Sequence, residues 1–152
     1  MKNLELKIPP AVVFIVCVGL IWSINYLLPS PFYISVSSWI VRTLLGLGVL
    51  LGVSSVIQFA VQSTSVNPHK PEHASSIVKT GIYRLSRNPM YLSMLIILLA
   101  AVLKLGHPLG LIILPFYVWY MNRFQIIPEE NAMEEKFGDA YRDYMENVRR
   151  WI

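Results

Sequence analysis

The chain has a single cysteine, Cys17, and little charge: only 14% of its 152 residues are Asp, Glu, Lys or Arg. One thiol excludes an intrachain disulfide and a cysteine-rich metal cluster. The shortage of charge, set against 55% hydrophobic residues, does not fit an ordinary water-soluble domain and puts the membrane class first. Histidine is also scarce. His69 and His73 sit in SVNPHKPEHASS beside Lys70 and Glu72, without a third and fourth ligand at a defined spacing, so no metal site is read there. Basic residues outnumber acids 13 to 9, for a net charge of +4, yet they form no continuous stripe, and nucleic acid is not an expected partner.

What the chain does have is four apolar runs. The first, residues 11–28, follows Pro9 and Pro10 and has no small-residue cleavage site before Pro29, so it reads as a helix and not as a signal peptide. At 1.5 Å per residue it covers roughly 27 Å, enough for a thin hydrocarbon layer. The second, residues 40–61, carries Gly46, Gly48 and Gly52, which allow close contact with a neighbouring helix. Pro89 suits the first position of a third helix, which is short and would need tilt or local thinning to cross. After the turn KLGHP, residues 109–127 form the fourth run.

Lys2 and Lys7 precede the first run, Lys70, Lys79, Arg84 and Arg87 lie between the second and third, and the basic tail follows the fourth. Retained positive charge therefore places these segments on the cytoplasmic side. Beyond Pro128, Met133, Phe137, Tyr141, Met145 and Val148 recur at three- or four-residue spacing, the pattern of an amphipathic helix lying in the interface. The expectation is an all-α, four-span membrane bundle with an interfacial C-terminal amphipathic helix, one domain over residues 1–152 with its site formed mainly by residues 64–152. In a prokaryote this is an inner-membrane protein with both termini and the site cytoplasmic.

Two polar clusters fall on that side. One is Tyr83, Arg87, Asn88 and Tyr91; the other is Arg123, Glu129 and Glu130. Helical spacing puts Arg123 and Glu130 on one face, and a buried charge there requires pairing, water or a charged ligand.

These residues, in GIYRLSRNPMY (81–91) and EENAMEEKFGDAYRDYMENVRRWI (129–152), resemble the integral-membrane methyltransferases of the isoprenylcysteine carboxyl methyltransferase and phospholipid methyltransferase superfamily. The resemblance implies S-adenosylmethionine as cofactor and a lipid or lipid-like small acceptor that arrives from the bilayer. It carries cofactor binding to Arg87, Asn88, Pro89 and Tyr91, with Tyr83 supporting the loop and Glu130 as a hydrogen-bonding partner. Arg123 and Glu129 become the candidate catalytic residues that position the acceptor. Asn88 stands where the prenylcysteine enzymes commonly have histidine; an amide orients a ligand but carries no imidazolium charge. Carboxyl O-methylation is the first expectation. S- or N-methylation, including that of a phospholipid, and a non-enzymatic membrane scaffold or lipid-binding protein are the alternatives.

Overall fold

The computed structural model describes residues 5–61 and 77–152, and these are entirely helical and irregular, with no strand among them. Helix α1 is Pro10–Leu27 and α2 is Ser38–Val61. A short 3-10 turn, Gly81–Arg84, leads into α3, Pro89–Leu105. The fourth apolar run then changes character three times: a 3-10 turn at Pro108–Ile112, helix α4 at Ile113–Met121 and a π turn at Asn122–Ile126. Helices α5, Ile127–Phe137, and α6, Asp139–Asn147, complete the chain. His69, Lys70, Glu72 and His73 lie outside the described residues.

Helix α3 is central because it presents apolar side chains on more than one face. Its Tyr91, Leu98 and Val102 join Val13, Cys17 and Ile21 of α1, Tyr117 and Met121 of α4, and Ile126 in one buried cluster. Against α2 the contact is made differently. A Cβ on Gly48 would lie 2.6 Å from Ile97 Cγ1 and 3.2 Å from the Ser93 carbonyl oxygen, so the absence of a side chain is what lets the two helices approach. The same device closes the opposite end. Gly106 ends α3 in the left-handed region at φ 75° and accepts a 2.7 Å hydrogen bond from Ile34 N, where a side chain would collide with the Ile34 oxygen.

The four-span expectation is corrected: among the described residues, two helices, α1 and α2, are long and apolar enough to cross a membrane. Gly106 stops α3 after 17 residues. The fourth run contains an α-helix of only nine residues because Pro108 and the π turn break its hydrogen-bond register on either side. The expected single amphipathic tail is likewise two helices, divided at Gly138, whose φ of 53° no continuing helix adopts. Large apolar side chains along α1 and α2, among them Ile15, Trp22, Tyr26, Leu50 and Ile57, are more than half exposed. A soluble core helix would bury them, so this surface associates the chain with a membrane.

Two glycine substitutions separate packing from propensity. Gly48→Ala must push α2 off α3 and is expected to cost about 1–3 kcal/mol. At Gly46 a Cβ would meet nothing within 4 Å, so Gly46→Ala should instead gain up to about 1 kcal/mol. Unfolding of the two variants in one detergent checks the opposite signs.

Candidate functional site

The connection between the 3-10 turn and α3 is held from two sides. Gly81, at φ 56°, turns the chain where a side chain would strike the Gln58 amide of α2, and Thr80 donates to Gln58 Oε1 at 3.1 Å. Tyr83 is buried, packs edge-on against Phe59 at 5.3 Å and meets Ser55 through its phenol. From the other side the tail folds back. Tyr144 donates a 2.7 Å hydrogen bond to the Tyr83 carbonyl, and Lys79 donates at 2.6 Å to the Ala140 carbonyl.

Arg87 is the centre of this closure. Its Nη1 donates to the carbonyls of Met145 (2.7 Å) and Val148 (2.9 Å), its Nη2 to Glu130 Oε1 (2.7 Å), and its backbone N–H to the Arg149 carbonyl (3.0 Å). Glu130 also receives Arg150, at 3.1 Å on Oε1 and 2.5 Å on Oε2. One carboxylate thus holds two guanidinium groups, with Arg87 and Glu130 side chains only 10% and 9% exposed. Asn88 serves the same strap: its amide donates at 3.0 Å to the Arg150 carbonyl, and its N–H donates to Ser86 Oγ. Pro89, fully buried at the first position of α3, needs no N–H partner there.

The neighbouring carboxyl is in a different situation. Glu129 accepts a 2.5 Å hydrogen bond from the Tyr91 hydroxyl and meets no basic side chain among the described residues. Burial pushes its pKa up to about 8; the Tyr91 hydrogen bond opposes the rise and the charge of Glu130 adds to it. Burial likewise raises Tyr144, to about 12, with the nearby Arg87 pulling the other way. Two adjacent acids therefore divide: Glu130 is committed to its guanidinium partners, and Glu129 can hold or release a proton near neutrality.

The structure brings together Tyr83, Arg87, Asn88, Pro89, Tyr91, Glu129 and Glu130, drawn from both quoted segments. It leaves Arg123 apart. The π turn shifts the register between Arg123 and Glu130, so they do not share the expected face; Arg123 donates to Glu5 at 2.6 Å and lies over the Phe124 ring. Sequence reasoning misses Arg150, which reads only as tail charge, because nothing in a separation of 20 residues from Glu130 signals a contact. Tyr141 and Tyr144 are legible as a helix face, but not the loop they cover. Among the described residues no group of three His, Cys, Asp or Glu is placed to hold a metal ion.

Glu130→Ala would leave Arg87 buried without its anion, and a loss of about 3–5 kcal/mol in unfolding free energy is expected. Glu129 acts in the opposite sense. Its folded pKa of about 8 exceeds the ordinary 4.5, so its protonation favours folding; that contribution is complete below about pH 4.5 and is lost as pH rises to 8. Glu129→Gln should flatten the stability profile across this window, measured by denaturant unfolding at several pH values.

Residues 36–140 match the phospholipid methyltransferase family. An uncharacterized protein of Haemophilus influenzae is 49% identical over 63 residues, 41% of this chain and 100% of its own length. A protein-S-isoprenylcysteine O-methyltransferase of Saccharomyces cerevisiae is 35% identical over 79 residues, 52% of this chain and 33% of the yeast protein. Protein-S-isoprenylcysteine O-methyltransferase B of Arabidopsis thaliana is 26% identical over 106 residues, 70% of this chain and 54% of the plant protein. The chain thus spans a third to about half of these two enzymes. No solved structure matches. The family match covers well over half of the chain and includes the loop, α3 and the paired acids, and the chain belongs to the phospholipid methyltransferase family.

Proposed function

We propose that the chain is an S-adenosylmethionine-dependent methyltransferase that acts at the membrane on a lipid-like acceptor. The observation that carries the reading is the pair Tyr91–Glu129 beside the Arg87–Glu130–Arg150 cluster, on a chain of this family. The residues present fit such a cofactor. Arg87 Nε is buried without a hydrogen-bond partner among the described residues and suits an oxygen acceptor, while Glu129, when ionised, suits a cationic group. Tyr83, Arg87, Asn88, Pro89, Tyr91 and Glu130 would enclose it, several of them through the backbone they hold in place. When bound, the cofactor supplies an electrophilic methyl group on a sulfonium sulfur.

The chain's own contribution is alignment, water exclusion and proton handling. Buried Tyr141 and Tyr144 cover the loop, and the Glu130 cluster fixes the distance between the loop and α5. Two O-methyltransferases among the relatives support the carboxyl acceptor expected from the sequence. That acceptor needs orientation by a cation, and Arg123, expected in that role, is instead paired with Glu5. A specific observation favours a second acceptor class, an amine. Glu129, with its pKa near 8, is suited to take the proton that a protonated amine must lose before its lone pair attacks. The site also belongs on the cytoplasmic side in this reading, following the positive charge around it.

The test is incubation of membrane-reconstituted protein with methyl-labelled S-adenosylmethionine and a lipid extract, with mass spectrometry of the product. Labelled lipid is expected, and Glu129→Gln should lower kcat for an amine by about 10²–10⁴-fold while leaving a carboxylate acceptor much less affected. A folded protein that neither binds the cofactor nor transfers label overturns the reading.

A further inference from the structure

The π turn Asn122–Ile126 lies between α4 and α5, and both ends of the described chain are fastened to it. Asn122 Oδ1 accepts from Trp151 Nε1 at 3.0 Å, near the C-terminus. From the N-terminal side, Arg123 is paired with Glu5 at 2.6 Å, Leu6 N donates to the Phe124 carbonyl at 3.0 Å, and Gln125 Nε2 donates to the Ile8 carbonyl at 2.6 Å. Three consecutive π-turn residues are therefore held by the segment 5–8.

That attachment is costly to form by accident. Leu6 sits in the left-handed region at φ 57°, which a residue with a side chain adopts only when its surroundings impose it. Gln125 is fully buried, so its amide nitrogen depends on the Ile8 carbonyl. The ion pair, with side chains 34% and 27% exposed, is too wet to add much to global stability. Its effect is on register. In the π turn the Ile127 N–H reaches back five residues, to the Asn122 carbonyl. Reverting to α-helix would rotate everything beyond by about 100°. Glu129 and Glu130 follow directly, and such a rotation would take one from Tyr91 and the other from Arg87 and Arg150.

We propose that Glu5 is a positioning residue for methyl transfer: with the backbone of Leu6 and Ile8 it holds the π register that aims Glu129 at Tyr91. This rests on the proposed function for its catalytic consequence, but not for its structural one.

The experiment follows the Glu129 carboxyl directly, by the infrared carbonyl stretch of its protonated form in the full-length protein across pH, with the band assigned by its loss in Glu129→Gln. The groups facing Glu129 are Tyr91 and Glu130, with Tyr83 and Tyr141 in its field. Glu5→Gln is expected to move the midpoint down from about 8 toward the ordinary 4.5 as the carboxyl leaves its buried position. Leu6→Val, which cannot hold the left-handed conformation, should do the same, and the exchange Glu5→Arg with Arg123→Glu should restore the midpoint. In turnover, Glu5→Gln should lower kcat up to about 5-fold with little change in KM. Unchanged midpoints in folded Glu5→Gln and Leu6→Val overturn the proposal. If the wild type transfers no methyl group, the functional reading fails, while the midpoint still decides the role of Glu5.

Discussion

A guanidinium group buried away from water needs partners for its donors, and the polar half of this protein is arranged around meeting those on the two Nη atoms of Arg87. Two tail carbonyls and one carboxylate do most of this, and the carboxylate is shared with Arg150. The consequence is topological. A loop before α3, the start of α5 and the end of the chain cannot separate without exposing an unpaired charge to a low-dielectric surrounding. The Asn88 amide and the Ser86 hydroxyl add lesser bonds to the same strap.

This closure creates the asymmetry between the two adjacent acids. Because Glu130 takes both cations, Glu129 is left with a phenol and a buried position, and its carboxyl is shifted toward neutrality. The fold provides a rigid floor for that difference: Tyr91 belongs to α3, whose other faces pack on α1, α2 and α4. A movable Tyr91 would not hold the carboxyl in place. The membrane-facing helices and the polar closure are thus coupled through one central helix, which is the reason a small chain can combine an apolar exterior with a protonatable group inside.

The site is legible where chemistry is written in local spacing. GIYRLSRNPMY and the segment from Arg123 to Glu130 read as two polar clusters that the family resemblance joins, and the structure places Arg87 with Glu130 and Tyr91 with Glu129. Helical spacing misplaces Arg123 because it assumes an unbroken register, and a π turn adds a residue that no propensity announces. Arg150 is invisible as a partner for the same class of reason, since the contact is made by a chain that turns at Gly138 and returns.

For the fold, composition and periodicity determined the helical class, the apolar surface and the two helices, α1 and α2, that are long and apolar enough to cross a membrane, since each depends on residues close together in sequence. Pro89 also marked the start of α3 through its own backbone preference, and the turn KLGHP marked its end. Tertiary structure alone decided where the π turn would interrupt the fourth run and that the chain ends would meet on it. The N-terminal contact depends on hydrogen bonds between residues more than 100 positions apart, such as Glu5 with Arg123, and the C-terminal one on Trp151 with Asn122, 29 positions apart, whose energies no local pattern contains.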